Sequence, residues 1–319
     1  MKKILKRALL VVFILLIAVI TFIVVSSYFE HRNMVAGEKE KYPAPGTLVE
    51  VNDDGDELHV FTAGEGDKTL VFMSGLGTSS PVYDFQALYS QLSDDYRIAV
   101  VERAGYGWSD ITSSSRDIDT VLEETRTALA GAGENPPYFL FPHSLAGMEA
   151  IYWANLYPEE INAIIGLDPL IPEYHLQSEE SPSLSPVITL LARTGLMRQQ
   201  ADVCRNNFRA IEKGHLTEEE TEIACSLFFR RTNTSNMRDE ADAISANAQL
   251  VQEQGKPATP FHAFISGEGE SDWQDIISDY SDYTGGEYYI LDAEHYVHLD
   301  KPGLIAEISR ELMTVSESD

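Results

Sequence analysis

The sequence predicts an α/β body: a mostly parallel sheet covered by helices on both faces, with a helical segment inserted between two strands. Three observations predict it. Residues 69–73, 97–101, 138–141, 163–167, 261–265 and 288–291 are short apolar runs, as strands buried on both faces should be. Helical patterns lie between several of them. In 116–129 the positions Ile118, Val121, Leu122 and Leu129 share one stripe, 144–157 is stopped by Pro158, and Pro302 opens a last helix with Leu304, Ile305, Ile308 and Leu312 on one face. Ahead of them, 48–51 and 58–62 flank the turn-forming residues 52–56 as a hairpin. Repeated strand–helix units after a hairpin imply the sheet described.

One region breaks the alternation. From residue 169 to 257 no strand pattern appears, only helical stretches such as the one that Thr217 opens with an acidic first turn, Glu218 to Glu220. An insertion of about 90 residues between two sheet strands reads as a helical lid over the strand ends. Its Phe208, Leu227, Phe228 and Phe229 suggest a substrate with an apolar or acyl group. Cys204 and Cys225 also lie here, on helices either side of Lys213-Gly214-His215, and stay open between a disulfide and two buried thiols.

The 319 residues are 44% apolar and 23% charged, which is globular composition. The charge is strongly acidic, 23 Lys+Arg against 51 Asp+Glu for a net −28. Residues 1–25 hold Lys2, Lys3, Lys6 and Arg7 and no acid, so the remainder carries −32. Such a body is repelled by phosphate backbones and anionic headgroups, and nucleic-acid binding is excluded. Two cysteines are too few for a disulfide scaffold or a structural zinc site.

The N-terminus addresses a membrane. After the cationic lead, 8–25 is an apolar stretch in which Thr21 is the only polar side chain, and 26–29 supply an interfacial remainder. The stretch is too long and too poorly ended for a cleaved signal, so an uncleaved anchor over 8–29 is preferred, with secretion after cleavage as the alternative. Positive charge before the span puts the N-terminus in the cytoplasm and the body outside. Residues 30–46, charged and without apolar periodicity, read as a spacer. The division is therefore lead and anchor over 1–29, linker over 30–46, core over 47–168 and 258–319, and lid over 169–257.

Chemistry gathers at strand ends. Ser144 stands where the run 138–142 turns directly into a helix, and Ala146 is the small neighbour such a turn needs; Pro142 departs from the usual Gly. Met73-Ser74-Gly75-Leu76-Gly77 ends an earlier strand in a glycine-rich turn whose N–H groups, with that of Leu145, suit an oxyanion. After the last strand, Asp292-Ala293-Glu294-His295-Tyr296-Val297-His298 offers an imidazole as base.

With these pieces in order, residues 47 to 315 resemble the α/β-hydrolase superfamily. The quoted motifs are Ser74-Gly75-Leu76-Gly77, where the family usually has His-Gly; Glu102-Arg103-Ala104-Gly105-Tyr106-Gly107-Trp108-Ser109, similar to its D-x-R-G-x-G-x-S stretch; the elbow at Ser144; Tyr157-Pro158 before a strand; and Glu294-His295 followed by Lys301-Pro302. The resemblance implies the α/β-hydrolase fold, Ser144 as nucleophile, His295 as general base, and the Leu76 and Leu145 N–H groups as oxyanion hole. His298 is then a neighbour on the same loop and His143 a packing residue; His31, His59, His175, His215 and His262 are structural or surface. For the acid the family offers two places. Asp168, at the end of the strand after the nucleophile helix, is preferred, and Glu270 in the loop after 261–265 is second.

A Ser-His-acid set supports acyl transfer on a small ester or amide through an acyl-enzyme. No metal-ligand spacing or phosphate-cradling motif is present, so no metal or cofactor is expected. Rivals on the same scaffold are a cofactor-free haloperoxidase, a lyase, a C–C hydrolase and a proline-type aminopeptidase. A non-catalytic ligand-binding homologue is the other class, supported by Pro142 and Ser74.

Overall fold

A computed structural model describes residues 2–178, 183–200 and 202–315. It opens with a 40-residue helix, α1 (Lys2–Lys41). Among the described residues this is the one helix long and apolar enough to cross a membrane, by length and composition. The expected spacer 30–46 is instead helical as far as Lys41, and the helix stops just before Pro43. Sequence periodicity missed it because the inward stripe is mixed in polarity. Val24, Ser27, His31, Val35 and Glu38 recur at three- and four-residue spacing and are the positions drawn out of solvent. Their partner is the inserted segment: Arg198 donates to His31 Nδ1 at 2.9 Å and clamps Glu38 with both terminal nitrogens at 2.7 and 2.8 Å.

The sheet follows. Its strands are β1 (Thr47–Glu50), β2 (Glu57–Ala63), β3 (Thr69–Met73), β4 (Arg97–Glu102), β5 (Tyr138–Pro142), β6 (Ile161–Leu167), β7 (Phe261–Ser266) and β8 (Tyr288–Leu291). Among the described residues they form one sheet in the order β1-β2-β4-β3-β5-β6-β7-β8. β1 and β2 pair antiparallel, as the hairpin pattern predicts, and Asn52 Oδ1 ties its turn by accepting the Asp54 and Asp56 N–H groups, each at 3.1 Å. β2 meets β4 antiparallel, and every pairing from β4 to β8 is parallel.

Strand alternation feeds two core layers. Val71, Val101, Leu140 and Ile164 pack on α3 (Ile118–Gly131) and α4 (Ala146–Leu156). Leu70, Phe72, Val100 and Phe141 point the other way, against α2 (Pro81–Tyr89) and α12 (Pro302–Val315). Helices therefore cover both faces, and the C-terminal ends of β3, β5, β6 and β7 share one edge.

Between β6 and β7 run α5 (Pro172–Gln177), α6 (Pro186–Arg193), α7 (Arg209–Glu212), α8 (Glu218–Arg231) and α9 (Ser235–Gln254), with no strand among the described residues of this stretch. Thr217 caps α8 in a reciprocal box with Glu220. Cys204 and Cys225 are joined as a disulfide, their Cα atoms 5.6 Å apart. Cys204 lies in a turn ahead of α7 rather than on a helix. Leu227 and Phe208 pack around the bridge, with Phe228 and Phe229 half-buried beside them.

A buried ion cluster pins this segment to the core. The Arg103 guanidinium reaches Glu149 of α4 at 3.4 Å and Glu240 of α9 at 3.3 Å, and Tyr106 OH donates to Glu240 at 2.6 Å. Burial pushes the Glu149 carboxyl above its ordinary range, against the pull of Arg103 and of the Thr125 hydroxyl. The cluster depends on its one shared cation. Arg103→Met strands two carboxylates in a dry site, a loss of about 3–5 kcal/mol. Thermal unfolding should show a midpoint about 10 °C below wild type.

Candidate active site

Ser144 and Asp168 follow the ends of the neighbouring parallel strands β5 and β6, and both sit in the left-handed region, at φ +50° and +49°. That conformation costs a non-glycine residue of order 1–3 kcal/mol, and two cases side by side mark a built feature. Local bonds hold the pair. The Leu170 N–H donates to the Ser144 carbonyl at 2.7 Å, the Asp168 N–H to the Phe264 carbonyl at 2.7 Å, and His143 bridges to Leu167 in parallel register. The β3 turn closes in from the other side. A Cβ on Gly75 would lie 2.9 Å from Ser144 Cβ and 3.0 Å from His143 Nδ1, so only glycine fits there.

The loop after β8 brings in His295. Its Nδ1 lies 2.6 Å from Asp168 Oδ2, so the ring donates there and presents Nε2 as the free position. Asp168 is almost fully buried, and its other oxygen accepts the Ser266 N–H and the Trp273 Nε1–H, each at 2.8 Å. The carboxylate thus has three donors and one orientation. Ser144 Oγ itself makes no hydrogen bond among the described residues, so no Ser144–His295 bond is formed in this structure. The Leu76 and Leu145 N–H groups likewise have no protein acceptor among the described residues.

Glu270 lines a cavity with Asp168 and His295 but makes no hydrogen bond to His295 among the described residues. It precedes α10 (Ser271–Tyr283), is exposed, and accepts from the Tyr174 hydroxyl at 3.3 Å. The 102–109 stretch does not supply a reacting group either, since Glu102 accepts the Trp108 N–H at 2.7 Å and pairs with His59 at 2.9 Å.

Sequence reasoning missed Trp273, Tyr174 and Arg209. Trp273 was legible: with Ile276, Ile277 and Tyr280 it makes the helical stripe of α10, a helix the apolar-run reading passed over. Tyr174 and Arg209 carried no local signal. They line a cavity of ≈ 470 Å³ with Asp168, His295, Trp273 and Tyr296. Arg209 and Tyr296 also line a smaller cavity of ≈ 100 Å³ that reaches Gly77, Phe208 and Phe228. Arg209 is held 3.3 Å from Glu294, the neighbour of His295. Burial, with Asp84 adding, pushes the Tyr296 hydroxyl up to about 12, so it stays protonated.

Behind the site lies a buried group that spacing could not show. Asp84, His143 and His298 come from three elements and bring one donor atom each within 4.8 Å of one another. Two of the three are already joined, His298 Nε2 donating to Asp84 at 3.1 Å. His143 donates through Nε2 to the His295 carbonyl at 3.3 Å, with its ring 4.8 Å from that of His295. Its neighbours explain the packing role expected of it.

The molecule belongs to the alpha/beta hydrolase family. The family model described as "alpha/beta hydrolase fold" matches residues 68–204. The chain is 33% identical over 326 residues to the protein YbdG of Bacillus subtilis (strain 168), covering 98% of each. A putative lipase from Acinetobacter baumannii AYE shares the fold with a TM-score of 0.63 at 14% identity, over 90% of this chain and 97% of that one. An epoxide hydrolase from Bacillus megaterium does so with a TM-score of 0.63 at 15% identity, over 84% of this chain and 100% of that one.

Burial holds the His143 imidazole well below 6.5, with His298 and His295 adding to the shift, and burial lowers His262 and His175 in the same direction. The unfolded chain protonates first on acidification. Stability from these groups is therefore full above about 6.5 and lost as pH falls toward the folded values. Urea unfolding of wild type should show a midpoint that drops from pH 7.5 to 5.5, and a shallower drop in His143→Gln, which keeps a donor for the His295 carbonyl.

Proposed function

We propose that this chain is a membrane-anchored serine hydrolase that cleaves a small ester through an acyl-enzyme. The observation that carries the proposal is the 2.6 Å bond from His295 to the buried Asp168, set beside a serine in a left-handed turn at the adjacent strand end. The elbow carries Ser rather than Asp, which favours acyl transfer over the alkyl chemistry of an epoxide hydrolase or a dehalogenase.

In this mechanism Ser144 Oγ attacks the carbonyl carbon as its proton passes to His295 Nε2. The oxyanion is held by the Leu76 and Leu145 N–H groups, both without an acceptor among the described residues. His295 then protonates the leaving alkoxide, which departs and leaves the acyl-enzyme. Water gives a proton to His295 and attacks that acyl carbon, and collapse returns the proton to Ser144 with release of the carboxylic acid. Asp168 accepts the Nδ1–H and holds the ring in place. Tyr174, Trp273 and Tyr296 line the larger cavity together with Arg209, Glu268, Glu270 and Glu294, so its wall is part aromatic and part charged. The inserted helices act as a lid, with Arg209 on the wall shared by the two cavities.

Residues 8–29 of α1 anchor the chain, with the N-terminus in the cytoplasm and the body outside. The Cys204–Cys225 disulfide agrees with an oxidising compartment.

The test is a fluorophosphonate probe read by intact mass. Wild type should take one adduct, and Ser144→Ala and His295→Ala none. On a responsive ester, Asp168→Asn should lower kcat by about 10⁴, while Glu270→Gln stays within about twofold. A folded wild type that takes no adduct would return the protein to the ligand-binding class, and labelling without turnover of esters would point to another chemistry on the same scaffold.

A further inference from the structure

One helix of the insertion is built inside out. In α6 the buried side chains are Thr189 and Ala192, while Val187, Ile188 and Leu190 are 65%, 43% and 59% exposed. At 100° per residue the exposed aliphatics, with half-buried Leu191, occupy one continuous arc, and the small and polar positions face the protein. A solvent-facing helix of a soluble domain has the opposite arrangement.

The position of α6 says what covers that arc. Two residues beyond its end, Gly195 (φ +74°) packs directly on α1: a Cβ there would lie 2.4 Å from His31 Cβ and 3.0 Å from the Ser27 carbonyl oxygen. Ser27 is the buried residue of α1 and follows Val25, the end of the unbroken apolar stretch 8–25, by two positions, about 3 Å along the axis. The C-terminal end of α6 therefore stands level with the end of the apolar span.

The charge at this junction runs against the rest of the body. A cavity of ≈ 330 Å³ opens between α1, α6 and the end of α8, and Arg32, Arg193 and Arg230 line it with no acidic residue among the described residues of its lining. Arg230 Nε and Nη1 are buried without a partner among the described residues. Ile111, 49% exposed, lines the same cavity and adds to the apolar surface. Aliphatic side chains beside guanidinium groups, of which Arg230 also feels Glu38 and Glu102, match the boundary between acyl chains and phosphate headgroups. The net acidity of the body does not cancel this, because charges more than about 8 Å apart are screened at physiological salt.

We propose that the exposed face of α6 sits in the headgroup–acyl boundary of the bilayer that α1 crosses, with Arg32, Arg193 and Arg230 against the phosphates of anionic phospholipids. This rests on the reading of α1 as an anchor. It makes the insertion a membrane-seated element, so the substrate class that fits best is an ester or acyl lipid presented at the bilayer surface.

The test uses the full chain in nanodiscs of phosphatidylcholine, with and without phosphatidylglycerol, carrying an environment-sensitive fluorophore at one engineered cysteine. Leu190→Cys reports α6, Ile14→Cys reports the span, and Tyr283→Cys, at a residue 73% exposed on the core, is the water-facing reference. Nitroxide lipids labelled near the headgroup should quench position 190 at least about twofold more than position 283. Lipids labelled at the bilayer centre should quench position 14. Phosphatidylglycerol should deepen quenching at 190, and Arg193→Gln should reduce that gain. Quenching at 14 with none at 190 overturns the proposal and leaves the anchor standing. No quenching at 14 overturns the anchor itself. A blue-shifted, unquenched label at 190 in a chain that cross-links as a dimer assigns the face to a second copy and overturns the proposal. Equal quenching in both lipid mixtures overturns the role given to the arginines.

Discussion

The ends of β5 and β6 stop on two residues that the backbone disfavours, and the site depends on their being held there. Ser144 and Asp168 take left-handed φ angles within one hydrogen-bonded unit, the Leu170 N–H returning to the Ser144 carbonyl at 2.7 Å. Parallel strands make this possible, because all their C-terminal ends arrive on one edge and adjacent turns face the same way. The sheet itself is over-determined by two apolar layers, so it absorbs the cost of both strained turns. Gly75 completes the arrangement by letting the third turn approach where any side chain would collide.

Most of the sheet was legible because buried parallel strands leave unbroken apolar runs, and the bounds of β3 match the run 69–73; the run 288–291 has the bounds of β8 but is an edge strand with only Leu291 buried. The hairpin was legible from Asn52 and its turn. The acid was half-legible. Asp168 ends a buried run, which is a local fact, but its bond to His295 spans 127 residues and belongs to the fold alone. Trp273, which fixes the second carboxylate oxygen, had a visible stripe that strand-hunting overlooked. The grouping of Asp84, His143 and His298 had no spacing to betray it.

Residues 30–41 failed for a different reason. Periodicity searches look for apolar stripes, and the inward stripe here uses Ser27, His31 and Glu38, whose partners lie more than 150 residues away. A helix whose contacts are polar and distant resembles a spacer until its partner is placed. The cysteines were similar: their number bounded the outcomes, and only the turn at residue 204 brought the two within bonding distance.

That unbroken helix has a mechanical consequence. A flexible chain of seventeen residues, the expected spacer 30–46, would let a tethered body wander over about 20 Å. A helix of 40 residues, about 60 Å long and clamped by Arg198, works as a post instead. Under the proposed anchoring it fixes the height and tilt of the candidate site above the lipid. Encounter with a surface-borne molecule then becomes a search in two dimensions at constant elevation. Lengthening the post by four residues would lift the candidate site by about 6 Å and turn it about the axis by about 40°.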